Sequence, residues 1–274
     1  MIKAVCIQGS KCMKICKVIA CIALCFLLST TSLFARAGGG GSGGGGGGSS
    51  GGGSSSGNHT SSNTSSTPTS LLTQLAMFGV FIVGSGYATY RLRYKVYKKH
   101  HSSKQLLKEL DDIDPFWKES TIKKQVEDIY YLAQNAWTNK NIGSLRDYVS
   151  DDLYENWRMK LDWMDIRNER NVLDRIKLLS TSIVGVYDAK LNEHDFVWVC
   201  VRGKMVDYKV DETTNDIIEG DTRSHEFLEY WKFIRKEESI LLDEVQQIED
   251  MDVNAFVDFS EEVHPNDKDP LEDS

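Results

Sequence analysis

The stretch DFVWVCVRGKMVDYKV, Asp195 to Val210, decides how this chain folds, because its apolar residues follow the period of two that a half-buried strand requires. Val197, Val199, Val201 and Met205 take one face, and Asp207 continues that face toward the end of the run. Three more β-rich runs flank it: IKLLSTSIVGVYD (Ile176 to Asp188), SHEFLEYWKFIR (Ser224 to Arg235) and SILLDEVQQI (Ser239 to Ile248). The polar loop DETTNDIIEGDTR joins the second and third runs in chain order, and the turn KEE joins the third and fourth. Four antiparallel strands in a curved sheet are the expectation.

Upstream, the apolar period lengthens to that of helices. Ile122, Val126, Ile129, Ala133 and Trp137 form one face, and Asp114 with Pro115 provides a cap and a first turn before it. The stretch from Asn141 to Ile176 reads as two more helices. Ser150 caps the second of these, whose face runs Leu153, Trp157, Leu161, Met164. KQLLKELDDI, from Lys104, reads as a separate short amphipathic helix. Helices first and strands afterwards predict an α+β domain over residues 114–248, with N-terminal helices packed on the four-stranded sheet.

Charge divides the chain. Before Glu109 there are twelve Lys and Arg and no acid; from Glu109 on there are 40 acids against 20 bases. Such asymmetry joins a membrane-directed basic end to an acidic domain, whose charge disfavours nucleic acid as a partner. Five of the six cysteines fall within the first 25 residues, so Cys200 has no internal disulfide partner and reads as a small core residue.

Residues 1–37 read as a secretory signal: lysines at 3, 11, 14 and 17, the apolar run VIACIALCFLL, then Ala35 and Ala37 as small residues before cleavage at Gly38. Two alternatives are an uncleaved anchor and a lipidated Cys21. Residues 38–70 form a Gly/Ser-rich flexible linker. LLTQLAMFGVFIVGSGYATY, Leu71 to Tyr90, is twenty residues without a charge, about 30 Å of helix, and is expected to be one transmembrane helix with a tyrosine belt at its end. Arg91, Arg93, Lys95, Lys98 and Lys99 follow at once, in a basic juxtamembrane segment (91–113) expected to contact anionic lipid. By the positive-inside rule the domain lies in the cytoplasm, at the plasma membrane. Residues 249–274 are expected to be a disordered tail, with nine acids and one Lys from Asp250 on and NAFVDFSEEV as a candidate binding motif.

From about Phe116 to Ile248 the chain resembles the C-terminal domain of the mitochondrial inner-membrane translocase subunit Tim-44 and, more closely, its bacterial relatives. The segments that carry the resemblance are YYLAQNAWTNKNIGSLRDYVSDDLYENWR, RNVLDRIKLLSTSIVGVYD, MVDYKVDETTNDIIEGD and FLEYWKFIRKEESILLDEVQQI. The order and lengths of the elements suit a cone-shaped fold of the nuclear-transport-factor-two type, and the resemblance implies a non-enzymatic, membrane-associated domain with an apolar pocket that binds lipid or protein partners. The import-motor role does not carry over, because a Gly/Ser spacer and an apolar span stand where that tethering region would be.

Trp137, Trp157, Trp198 and Trp231 are the candidates to line such a pocket. Asp207 is the one candidate general base, raised in pKa by an apolar setting. Its alternative is a place at the strand's fraying end, paired with Lys209 or Arg223. HEFLE, from His225, lies in a strand pattern and is no zinc helix; DDIDPFW lacks the glycine and later glutamate of a calcium loop, so no cofactor or metal is implied. Three function classes follow: a membrane-tethered binding domain, an enzyme using Asp207, and a structural scaffold.

Overall fold

A computed structural model describes residues 68–265, 267 and 269–271, with side chains from Tyr87 onward except Ala88. The signal segment with Ala35, Ala37 and Gly38, and the linker up to residue 67, lie outside the described residues. Three helices, α1 (Pro68–Asp111), α2 (Glu119–Thr138) and α3 (Asp151–Ile166), precede five strands. These are β1 (Glu169–Asp188), β2 (Phe196–Asp211), β3 (Ile217–Lys236), β4 (Ser239–Gln247) and β5 (Asp258–Ser260). The sheet order is β4-β3-β2-β1-β5.

The fold is α+β as expected, but the sheet has five strands and is mixed, since β5 runs parallel to β1. β1 and β3 also start earlier than their periodicity implies, at Glu169 and Ile217. Their first residues become strand by pairing with the end of β2, through Glu169 with Asp211 and Ile217 with Val210. Cross-strand hydrogen bonding, not an apolar period, defines them. A bulge between Asp174 and Lys177, with Arg175 at φ 52°, bends β1 and curls the sheet.

β2 is buried without interruption from Val197 to Val201, because both faces of the sheet are covered. On the inner face, Val197, Val199, Val201, Met205, Trp231 and Phe233 meet the apolar faces of α2 and α3. All nine helix positions named from the sequence, from Ile122 to Met164, are buried there. The Ser150 hydroxyl accepts from the Leu153 amide and caps α3, whereas Asp114 caps the 3-10 turn Pro115–Trp117 that precedes α2. Gly203 permits the closest approach, since a Cβ there would lie 2.6 Å from the Tyr130 hydroxyl.

The outer face carries Val184, Trp198, Cys200 and Tyr230, covered by Val96 of α1 and by Val253 and Phe256. Two expectations are corrected here. The basic segment and the short helix after it are one helix continuous to Asp111, for neither Gly nor Pro occurs between Tyr87 and Asp111. It lies on the sheet, and its Leu106, Leu107 and Leu110 reach the inner core. The acidic tail is not wholly solvated either: Val253, Phe256 and Phe259 are buried and Ser260 closes β5. Its acids pair with α1, Lys95 to Asp252 at 2.8 Å and Lys99 to Asp258 at 2.6 Å.

The two faces meet at a buried polar cluster. Arg235 lies 2.7 Å from Asp114 and 3.1 Å from Asp195, with its guanidinium 4.0 Å from the Phe116 ring centre. Burial pushes the Asp195 carboxyl up to about 7, with Asp188 adding to the rise against the Ala189 amide and Arg235. Asp188 in turn accepts from the Ser260 hydroxyl at 2.6 Å, tying β5 to the cluster.

Candidate functional site: the groove under the N-terminal helix

The four tryptophans do not form one pocket. Trp137 and Trp157 pack edge to face with ring centres 5.7 Å apart, and Trp231 fills the space between Tyr130 and Phe233 on the same inner face. Trp198 points to the outer face, where its ring meets Phe256 at 4.8 Å. The period of two assigns this, since Trp198 lies between Val197 and Val199.

Asp207 does lie on the inner face. It is buried, well inside β2, between Leu173 of β1 and Asp221 of β3. It is therefore not in water at a fraying end; nearby, Lys209 pairs with Glu219 and Glu169, and Arg223 with Asp221. Hydrogen bonds from Arg223 and His225 hold the Asp221 carboxyl well below the usual range.

A groove of about 180 Å³ opens on the opposite face, between α1 and the sheet. Arg93, Val96, Tyr97 and His100 form its α1 wall; Ser180, Ser182, Cys200, Arg202 and Leu228 form its sheet wall. Helical spacing places Arg93, Val96, Tyr97 and His100 on one side of α1. Alternation on β1 and β2 brings the two serines, Cys200 and Arg202 up to meet them.

Two guanidiniums share one carboxylate in this groove. Arg202 donates to Glu226 at 2.6 and 3.2 Å, while Arg93 approaches the same oxygen at 3.5 Å. The Arg202 hydrogen bond holds Glu226 below the ordinary range. One positive charge is left over, beside two serine hydroxyls that can donate. His100 Nδ1 lies 2.9 Å from the Ile183 carbonyl, so Nδ1 carries the proton and donates, leaving Nε2 3.5 Å from Glu119. Burial lowers the His100 pKa, so the ring is neutral near pH 7. Cys200 is no nucleophile: burial pushes its thiol up to about 12. The groove therefore suits an anion, held without covalent chemistry. No group of three or more His, Cys, Asp or Glu among the described residues is arranged to hold a metal.

Of the five cations expected at lipid, Lys95 and Lys99 pair with the C-terminal segment and Arg93 lines the groove. Arg91 and Lys98 are exposed and make no ion pair among the described residues. The apolar run Leu71–Tyr90 falls within α1, but mostly outside the residues whose side chains are described. Among the described residues no helix is long and apolar enough to cross a membrane.

Residues 103–247 match the Tim44-like domain. The chain belongs to the Tim44-like family. In this Tim44-like protein the match covers α2, α3 and β1 to β4, that is, the inner core. Both coverings of the outer face, α1 before Ser103 and the segment after Gln247, lie outside the matched residues. No curated protein matches the chain in sequence. Two solved structures resemble it loosely. The intermembrane space region of the chloroplast protein ARC6 is 10% identical over 47% of this chain and 95% of its own, with a TM-score of 0.36. The TraH protein of the Gram-positive conjugative plasmid pIP501 is 12% identical over 48% and 94%, with a TM-score of 0.27.

Proposed function

We propose that this Tim44-like protein is a membrane-tethered, non-enzymatic binding module whose outer groove holds anionic groups at the membrane surface. Anionic lipid head groups are the first candidates, with an acidic segment of a protein partner as the other source of the same chemistry. The observation that carries the reading is the continuity of α1, 44 residues from Pro68 to Asp111. One helix contains both the uncharged run Leu71–Tyr90 and the residues that wall the groove. Arg93 stands three residues past Tyr90, about 5 Å along the helix, so the groove starts within the head-group layer if the run spans. Positive charge after the run and none in residues 38–70 before it orient the chain with its domain in the cytoplasm of a single-pass plasma-membrane protein.

The full-length chain in neutral detergent tests the groove. Short-chain phosphatidylglycerol should raise its melting temperature in a salt-sensitive way, and phosphatidylcholine should not. Arg202→Gln should remove the difference. Equal shifts with both lipids, or none with either, would defeat the reading.

A further inference from the structure

The C-terminal segment closes the outer face with few attachments. Asp252 meets Lys95 in an exposed ion pair, Phe256 seats its ring against Trp198 and Tyr230, and β5 adds only three residues beside β1. Beneath this cover the Tyr230 hydroxyl is buried and has no hydrogen-bond partner among the described residues. Water would satisfy that hydroxyl, so lifting the cover regains part of what is lost in contacts. One attachment is of another kind. Ser260, wholly buried, donates to the Asp188 carboxylate at 2.6 Å, and the Glu261 amide donates to the Asp188 carbonyl at 3.0 Å.

That attachment ends in the buried polar cluster, where three carboxyls surround one guanidinium. The charges that act on Asp195 are Asp188, at the end of β1, and Arg235, at the end of β3. Asp114, ahead of α2, shares Arg235 and acts on Asp188. From the C-terminal segment, the Ser260 hydroxyl and the Glu262 amide reach in, both to Asp188. With all three carboxyls ionised, the cluster would hold two surplus negative charges out of water, an arrangement that burial penalises. A proton on Asp195 removes one of them. Lifting β5 withdraws Ser260 from Asp188 and admits water to the cluster, which relieves the same repulsion without the proton.

We propose that residues 252–262 form a proton-held latch, shut over the outer face in acid and loosened as the pH rises to neutrality. The sign follows from where Asp195 gives up its proton. Shut, it keeps the proton up to about pH 7; opened to water, it loses it near pH 4. Closing therefore takes up a proton, and the opening equilibrium rises with pH between those values and levels off above pH 7. Opening uncovers Val184, Trp198 and Tyr230, and it frees Lys95 and Lys99 of α1 from Asp252 and Asp258. The charge that α1 presents on this face is thereby coupled to a carboxyl pair at the far end of β1.

The test is hydrogen exchange of the full-length chain in neutral detergent at pH 6 and pH 7, each rate divided by its intrinsic value. The probes are the Glu261 amide and the Val186 amide, which donates to the Val257 carbonyl. Both should exchange faster than the core amides of α2 at either pH, as a local opening requires. From pH 6 to pH 7 their exchange should rise by up to about fivefold, and Asp195→Asn should abolish that rise. Lys99→Gln, which loosens the segment without touching the cluster, should raise exchange at both pH values and keep the ratio between them. Ser260→Ala cuts the tie to Asp188 and should raise exchange more at pH 6 than at pH 7, a readout that does not depend on Asp195→Asn folding. A ratio the same in wild type and Asp195→Asn, or probe amides no faster than those of α2, overturns the proposal. So does a Ser260→Ala effect equal at both pH values.

Discussion

The two faces of the sheet are covered in different ways. The inner face is sealed by two helices whose Trp137 and Trp157 pack ring on ring, over a span that coincides with the family match. The outer face is covered from the two ends of the chain, by part of α1 and by the segment around Phe256. Its seal is a small apolar cluster with two ion pairs beside it, and a groove stays open. The larger core and the groove proposed for binding therefore lie on opposite sides of one sheet, and Trp198, flanked by valines that face inward, belongs to the second.

The widest separation between the faces comes from their aromatic residues. Trp157→Ala should cost about 3–5 kcal/mol in denaturant unfolding, since a fully buried indole leaves a cavity. Phe256→Ala should cost about 2 kcal/mol and speed hydrogen exchange around Val96 and Val184 more than in α2. If both variants raise exchange uniformly, the faces are one cooperative unit and the contrast fails.

Titration sharpens the comparison where the faces meet. Folded Asp195 keeps a proton up to about pH 7 that the unfolded chain loses near pH 4. Its contribution to stability therefore falls as pH rises through that window. Against Asp195→Asn, in which the opposite slope from His100 cancels, the wild type should lose about 1 kcal/mol between pH 6 and pH 7. A flat difference would show that Arg235 keeps the carboxylate charged. The smallest effects belong to the outer ion pairs. Lys95→Gln should cost about 0.5 kcal/mol and the less exposed Lys99→Gln about 1 kcal/mol, with hydrogen exchange rising in the C-terminal segment. Losses as large as that of Trp157→Ala would mean that charge, not Phe256, holds the outer seal.

Local chemistry made much of the inner side legible. The faces of α2 and α3, the Ser150 cap and the central parts of β1 to β4 follow from spacing and side-chain type. What escaped depends on partners distant in sequence. Glu169 to Arg175 reads as helix by itself and is strand because the end of β2 lies beside it. Asp252 to Ser260 looks solvated until its acids find Lys95 and Lys99. The groove was hidden for the same reason: Arg93 reads as a lipid contact, and no local pattern places it opposite Arg202. Asp207 was put on the correct face, yet its burial depends on the early start of β3.

The distance in sequence between the partners of the outer seal has a consequence in time. Asp252 is made 157 residues after Lys95, and Asp258 is made 159 after Lys99. At ordinary translation speeds that is a delay of about 8 to 30 s. Through that interval these acids do not yet exist, so a span proposed at Leu71–Tyr90 would take its orientation with Lys95 and Lys99 still uncompensated by them. The same two charges can thus act first as an orientation signal during synthesis and later as the clasp that closes the finished domain.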